Sequence, residues 1–263
     1  MTDKKPGDLI PRILSALVLA PAVLGAVWYG GVVFQIMLGS VIILAAYEWA
    51  RLTCGPVWYG DMAIIAGTAL AALLLPGLTG WILLAGMAVS GGLCRIRGQE
   101  YRWRLLGVPY IALGPVAMLW LREQDGVGFT LIVWLLLVVW AMDIGAYFAG
   151  RAIGGPKLAP RISPNKTWAG LLGGMASAGI AGGAVAFVSS LGPVWMLAVL
   201  AALVGAWSQV GDITESMVKR HFGVKDMSNI IPGHGGVLDR IDGLLFAAPA
   251  LASGVLILRV IGS

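Results

Sequence analysis

Residues 194–243 read VWMLAVLAALVGAWSQVGDITESMVKRHFGVKDMSNIIPGHGGVLDRIDG. From Val194 to Gly211 no side chain is charged; from Asp212 onward charges come every few residues. An uncharged apolar run of this length is a candidate for crossing a bilayer, and it lacks the alternation of a barrel strand. Helix is therefore the expected form. If that helix runs on past the lipid, Asp212, Glu215, Ser216 and Lys219 fall at i, i+3, i+4 and i+7 and share one face. Gly223 interrupts it, and Pro232-Gly233-His234-Gly235-Gly236 forms a turn that no helix tolerates. Asp239 and Asp242, three apart, then open a last helix. The stretch predicts two helix ends meeting across a glycine-rich loop, each carrying two acids.

The same alternation of apolar run and charged loop extends through the whole chain. Further apolar runs lie at about 13–29, 32–50, 62–76, 78–94, 106–121, 129–149 and 168–190, with the two around 194–210 and 243–261 completing the series. Charged residues make up 12% of the chain, about half of what a soluble domain carries. Mean hydropathy is +0.87. The reading is an all-α integral membrane protein, a polytopic bundle of about eight to nine transmembrane helices with an active site on the cytoplasmic face. Residues 1–128 read as N-terminal transmembrane helices and 129–263 as the catalytic region. The run from Ile13 to Tyr29 reads as a retained first span, because no small-residue cleavage signature follows it.

Basic residues fix the expected orientation. With nine spans and an inside N-terminus, every Lys and Arg except Arg122 and Arg259 falls on one side. The N-terminus and the loops after even-numbered spans are expected in the cytoplasm, in an inner (cytoplasmic) membrane. The positive charges follow topology and form no soluble basic module, so nucleic acid is not an expected partner. Cys54 and Cys94 share no metal-ligand spacing and read as reduced thiols. In span seven, Gly170 and Gly174, then Gly179 and Gly183, sit four apart and let another helix approach closely. Packing within the bundle is the favoured use; a homodimer face is the alternative.

Ionisable groups beside spans mark function. From Asp143 onward the acids are Asp143, Asp212, Glu215, Asp226, Asp239 and Asp242, whereas upstream they read as lying in tails and loops. Carboxylates so grouped suit Mg²⁺, which takes oxygen ligands and commonly combines one or two carboxylates with substrate phosphates. Lys219, Arg220, Lys225 and Arg240 would balance the remaining phosphate charge. In RISPNKTWAG (161–170), Ser163 reads as a helix N-cap with Pro164 at the first helical position. Lys166 and Thr167 in the first turn would then make a phosphate seat. No GxxxxGK[ST] loop occurs, which argues against a P-loop NTPase. Asp143 reads either as a helix-end carboxylate paired with Arg151 or as a site residue. His221 reads as a surface residue and His234, in the glycine loop, as a substrate contact.

Together, Ser216-Met-Val-Lys219-Arg220, Lys225-Asp226 and Pro232-Gly-His234-Gly-Gly-Val-Leu-Asp239-Arg240-Ile-Asp242 resemble the signature of the phosphatidate cytidylyltransferases, or CDP-diacylglycerol synthases. Ser163-Pro-Asn-Lys166-Thr167-x-x-Gly170, and Asp143 with Tyr147 and Gly150, resemble further motifs of that family. Ala169 stands where a polar or acidic residue is expected in many relatives. The resemblance implies a Mg²⁺-dependent nucleotidyltransferase of phospholipid biosynthesis, joining CTP and phosphatidic acid into CDP-diacylglycerol and pyrophosphate, with a second metal or a monovalent cation as a further option. It implies Asp212 and Asp239 as leading metal ligands with Asp226 and Asp242 near them. Glu215, Lys219, Arg220, Lys225, His234 and Arg240 join the catalytic set. Asp143, Ser163, Lys166, Thr167 and Ser216 are expected to bind substrate.

Two other readings stay open at this level. A CTP-dependent lipid or polyprenol kinase shares membrane, metal and nucleotide but attacks the γ-phosphorus. A transporter also uses buried acids and glycine-interrupted helices, although nearer the bilayer midplane.

Overall fold

The computed structural model describes residues 9–54, 58–97, 101–231 and 235–262. His234 lies outside the described residues. Among these, each apolar run becomes a helix: α1 (Leu9–Tyr29), α2 (Gly31–Thr53), α3 (Trp58–Leu74), α4 (Thr79–Arg97), α5 (Tyr101–Arg122), α6 (Gly128–Ala152), α7 (Trp168–Ser189), α8 (Val194–His221) and α9 (Leu238–Gly262). The chain is an all-α polytopic membrane protein, but among the described residues seven helices, not eight or nine, have the length and hydropathy to cross a bilayer. Leu17–Tyr29 and Trp58–Leu74 are shorter apolar stretches. The 17 residues of α3 span about 26 Å at a rise of about 1.5 Å each, short of a hydrocarbon core of about 30 Å.

The chain divides into two compact units, residues 1–116 with 222–241, and 117–221 with 242–263. The breaks fall inside α5 and α9. In the first unit α2 packs against α1 and α3, and α3 against α4. Phe34, Leu38, Ile42, Ala45 and Trp49, spaced three or four apart, form the buried face of α2. The Trp49 indole donates to the Trp103 carbonyl at 2.9 Å, and Gly107 leaves the space the ring fills.

The acids before Asp143 do not all lie in tails and loops. Glu48 is inside α2 at 0% exposure and Asp61 inside α3 at 1%. Arg104, read as a loop residue, is in α5 and fully buried; it pairs with Asp61 Oδ1 at 3.0 Å and donates to the Cys54 carbonyl at 2.9 Å. The pairing explains the burial: two opposite charges and a carbonyl satisfy one another where water does not reach.

In the second unit α6, α7 and α8 pack mutually. The paired glycines of α7 serve that packing. Side chains at Gly170 and Gly174 would meet the backbone of α6 at Ala146 and Met142. Side chains at Gly179 and Gly183 would meet α8 at Ala198. Each pair lies four apart, so one small stripe seats one neighbour and the other stripe seats the next.

Between α6 and α7 the chain makes an antiparallel hairpin of β1 (Lys157–Ala159) and β2 (Ser163–Thr167), pairing Lys157 with Thr167 and Ala159 with Ser163. This corrects the expected start of the helix at Ser163-Pro164. Proline restrains its own φ and biases the residue before it towards extended backbone, and here both lie in a strand. The N-cap is Thr167, extended at φ −124°, ψ 157°, with its Oγ1 accepting from Gly170 N at 3.0 Å. Helix α8 continues without a break to His221, about 42 Å for its 28 residues, so its last turns extend beyond an apolar layer of about 30 Å.

Candidate active site

Because α8 is continuous, Gln209, Asp212 and Ser216 form one stripe along it, while Glu215 and Lys219 form a neighbouring pair. Lys166 Nζ, at the end of the hairpin, donates to Gln209 Oε1 at 2.5 Å and pairs with Asp212 Oδ2 at 2.6 Å. Gln209 Nε2 in turn donates to Asp143 Oδ1 on α6 at 2.9 Å. Ser216 Oγ reaches Asp212 Oδ1 at 3.3 Å. The result is a line of groups, Asp143, Gln209, Lys166, Asp212 and Ser216, drawn from α6, the hairpin and α8. Asp143, Lys166, Gln209 and Asp212 line a cavity of about 300 Å³, with Asn165 and Thr167 beside them. Tyr147 also lines it, and its hydroxyl accepts from Arg151 at 2.9 Å.

Gln209 has no counterpart among the expected site residues. It stands three residues before Asp212, so the helical spacing that grouped Asp212 to Lys219 reaches it when extended one turn back. A neutral side chain simply did not stand out in an apolar run.

Glu215 is 1% exposed, and its Oε2 accepts from Lys219 Nζ at 2.7 Å. At Gly211 the helix has no room for a side chain, because the Asp242 carbonyl of α9 occupies that space. The close approach brings Asp242 beside the α8 stripe: Asp212, Asp143 and Lys219 all lie within its electrostatic reach. Asp242 Oδ1 accepts from Gly243 N at 2.8 Å.

Lys225, Asp226 and Asp239 belong to the first unit, where they are held by one segment. Asp239 Oδ2 accepts from Met227 N at 2.9 Å and Gly236 N at 2.8 Å. Ile231 N donates to the Gly235 carbonyl at 2.9 Å. Gly235, at φ +83°, has the left-handed backbone that favours glycine, and it lies against the Asp239 carboxylate and Asp226 Cβ. Lys225 and Asp226 line a second cavity, of about 600 Å³, together with Arg51, Ser228 and Asn229. Arg240, in the same unit, is exposed, as is Arg220 near the end of α8 in the second unit. Ser163 is in β2, half-buried.

No group of three His, Cys, Asp or Glu among the described residues is arranged as a closed metal cage. That does not conflict with Mg²⁺, which takes one or two carboxylates and completes its shell with phosphates and water. The donor set in the second unit, Asp212 and Asp242 with the amide oxygen of Gln209, is all oxygen. A cationic ammonium already sits between Asp212 and Gln209. Oxygen donors of this kind are the ones a hard cation takes.

A model of the cytidylyltransferase family matches residues 10–258. A phosphatidate cytidylyltransferase of Brucella suis is 42% identical over 255 residues, spanning 93% of this chain and 92% of the relative. One of Pseudomonas aeruginosa is 42% identical over 258 residues, spanning 92% and 95%. One of Haemophilus influenzae is 34% identical over 282 residues, spanning 90% and 95%.

Proposed function

This chain belongs to the cytidylyltransferase family, and from that premise we infer that it is a membrane-embedded phosphatidate cytidylyltransferase, converting CTP and phosphatidic acid into CDP-diacylglycerol and pyrophosphate for phospholipid synthesis. The observation that carries this reading is the ammonium of Lys166, held between Asp212 and Gln209 in a cavity among apolar helices. Such a place suits a phosphate that must stay near the lipid while a soluble nucleotide comes to it.

In the reaction a phosphate oxygen of phosphatidate forms a bond to the α-phosphorus of CTP, and the bond from that phosphorus to the β-phosphate oxygen breaks. The attacking oxygen is already anionic, so no strong base is required. The obstacle is the approach of two polyanions. Lys166 and Lys219 offset that repulsion, and Asp212 and Gln209 hold the Lys166 ammonium in place before substrate arrives. Asp143 fixes the amide orientation of Gln209 by accepting from its Nε2. Arg220, Lys225 and Arg240 are proposed to hold the remaining phosphate charge, and Ser163, Thr167 and Ser216 to contact substrate. His234 is retained as a substrate contact.

Mg²⁺ is proposed as the cofactor, with Asp212 and Asp242 as ligands in the second unit and Asp226 and Asp239 as candidates in the first. When bound it would supply positive charge to the triphosphate and the leaving pyrophosphate. Residues 129–263 are proposed as the catalytic region and 1–128 as N-terminal transmembrane helices. The proposed location is the inner membrane, with the N-terminus and active site facing the cytoplasm; the homodimer remains a proposal.

The test is purified protein in lipid with phosphatidate and CTP labelled at either the α- or the γ-phosphate. Label from the α-phosphate is expected in the lipid product, with EDTA abolishing it and Mg²⁺ restoring it. Entry of γ-label instead would make the protein a kinase, and activity surviving complete chelation would remove the metal proposal.

A further inference from the structure

Glu48 is an acid that the reaction as described does not use. It sits in the last turns of α2 at 0% exposure, and both of its carboxylate oxygens are engaged. Oε1 accepts from Ser228 Oγ at 2.5 Å and from Val237 N at 2.8 Å, and Oε2 accepts from Leu238 N at 2.8 Å. The partners lie about 180 to 190 residues further along the chain. Val237 and Leu238 open α9, so the carboxylate satisfies N–H groups that a helix start leaves without partners and meets the positive end of its dipole.

The fit is tight on the other side too. A Cβ on Gly236 would stand 2.6 Å from Glu48 Oε1 and 2.9 Å from its Cδ. Glycine at 236 is thus the residue that lets the chain pass the carboxylate. One turn past Glu48, Arg51 and Leu52 line the cavity of about 600 Å³ whose other wall is 224–230 and includes Ser228. Glu48 therefore ties both ends of the 228–238 segment to α2. Just outside those ties stand Lys225, Asp226 and Asp239, and Asp239 itself bonds the neighbouring backbone at Met227 and Gly236.

We propose that Glu48 is a positioning residue for this reaction: its carboxylate holds the stretches 225–231 and 235–239, and with them Lys225, Asp226 and Asp239, in working register on α2. The proposal rests on the cytidylyltransferase reading for its activity arm alone. Glu48→Gln keeps the shape but sets an NH2 group against a backbone N–H or the Ser228 hydroxyl, so at least one donor loses its acceptor.

The experiment compares wild type, Glu48→Gln, Ser228→Ala and Gly236→Ala in lipid nanodiscs, by amide hydrogen exchange and by steady-state kinetics. In Glu48→Gln, exchange at Val237 and Leu238 is expected to rise about tenfold or more, the effect of losing a charged acceptor. Exchange in α3 should stay at the wild-type rate, and kcat should fall about tenfold or more. Ser228→Ala should change both less, and Gly236→Ala should resemble Glu48→Gln by pushing the carboxylate aside.

Unchanged exchange at 237–238 would overturn the proposal, as would raised exchange there with wild-type kcat. Raised exchange throughout α2 and α3, with kcat falling only in proportion to lost folded protein, would assign Glu48 a merely structural role and also overturn it. If Glu48→Gln fails to fold, Ser228→Ala and Gly236→Ala decide the matter, since both leave the carboxylate present. Wild-type protein that makes no CDP-diacylglycerol would sink the functional reading, while the exchange arm would still report on the Glu48 contacts.

Discussion

Asp212 receives Lys166 on one oxygen and Ser216 on the other, so replacing it with Asn alters charge without altering shape. Outer partners of metal sites are worth about 10–100-fold in activity; Asp212→Asn, as a proposed ligand, should lose more than about 100-fold in kcat. Gln209→Leu should fall within the 10–100-fold range, because it removes the bridge from Lys166 to Asp143 while leaving both charges. Near-wild-type turnover in either variant, measured with equal amounts of folded protein, would remove the assignment. Lys166→Gln should act on binding, raising KM for CTP or phosphatidate about tenfold, equivalent to about 1.4 kcal/mol; unchanged KM for both would refute it. At this scale the charged members were legible because acids beside spans are costly and conspicuous. Gln209 was not, since neutral polarity inside an apolar run gives little contrast. Nor was Glu48, whose partners no local spacing can reveal.

Elements were read more fully than residues. Nine apolar runs became nine helices among the described residues, because backbone groups in lipid have few ways to be satisfied. The short hairpin before α7 escaped, as strands of three and five residues carry too little periodicity to compete with a plausible cap. The glycine stripes of α7 were legible as close-approach sites, and the structure assigns each stripe a partner helix. That yields a direct prediction. Gly174→Val should lower stability by about 1–3 kcal/mol or more, since its side chain would press on the Met142 carbonyl and sulfur. Gly67→Ala on α3, where nothing lies within 4 Å, should leave stability nearly unchanged. Thermal unfolding in one detergent compares the two. Equal melting temperatures would mean that α6 and α7 do not rely on this contact.

For the molecule as a whole, the decisive quantity is the side of the membrane on which the basic loops lie. CTP and pyrophosphate are polyanions and do not cross a bilayer unaided, so an enzyme using both must open to the compartment that holds them. On the proposed topology, which rests on the basic residues of the sequence, the loops at 153–167 and 222–231 face the cytoplasm, and the turns near Gly126 and Gly192 face the other side. With Cys54 and Cys94 replaced by Ala, a cysteine at Gly155 should resist an impermeant maleimide in intact cells and react in inside-out vesicles. Cysteines at Gly126 and Gly192 should show the reverse. Sealed inside-out vesicles should then make lipid product from added CTP, whereas right-side-out vesicles should not until permeabilised. Labelling at Gly155 from outside would invert the topology. Labelling as expected, but with turnover in sealed right-side-out vesicles, would instead detach the active site from the basic face, because the two measurements fail independently.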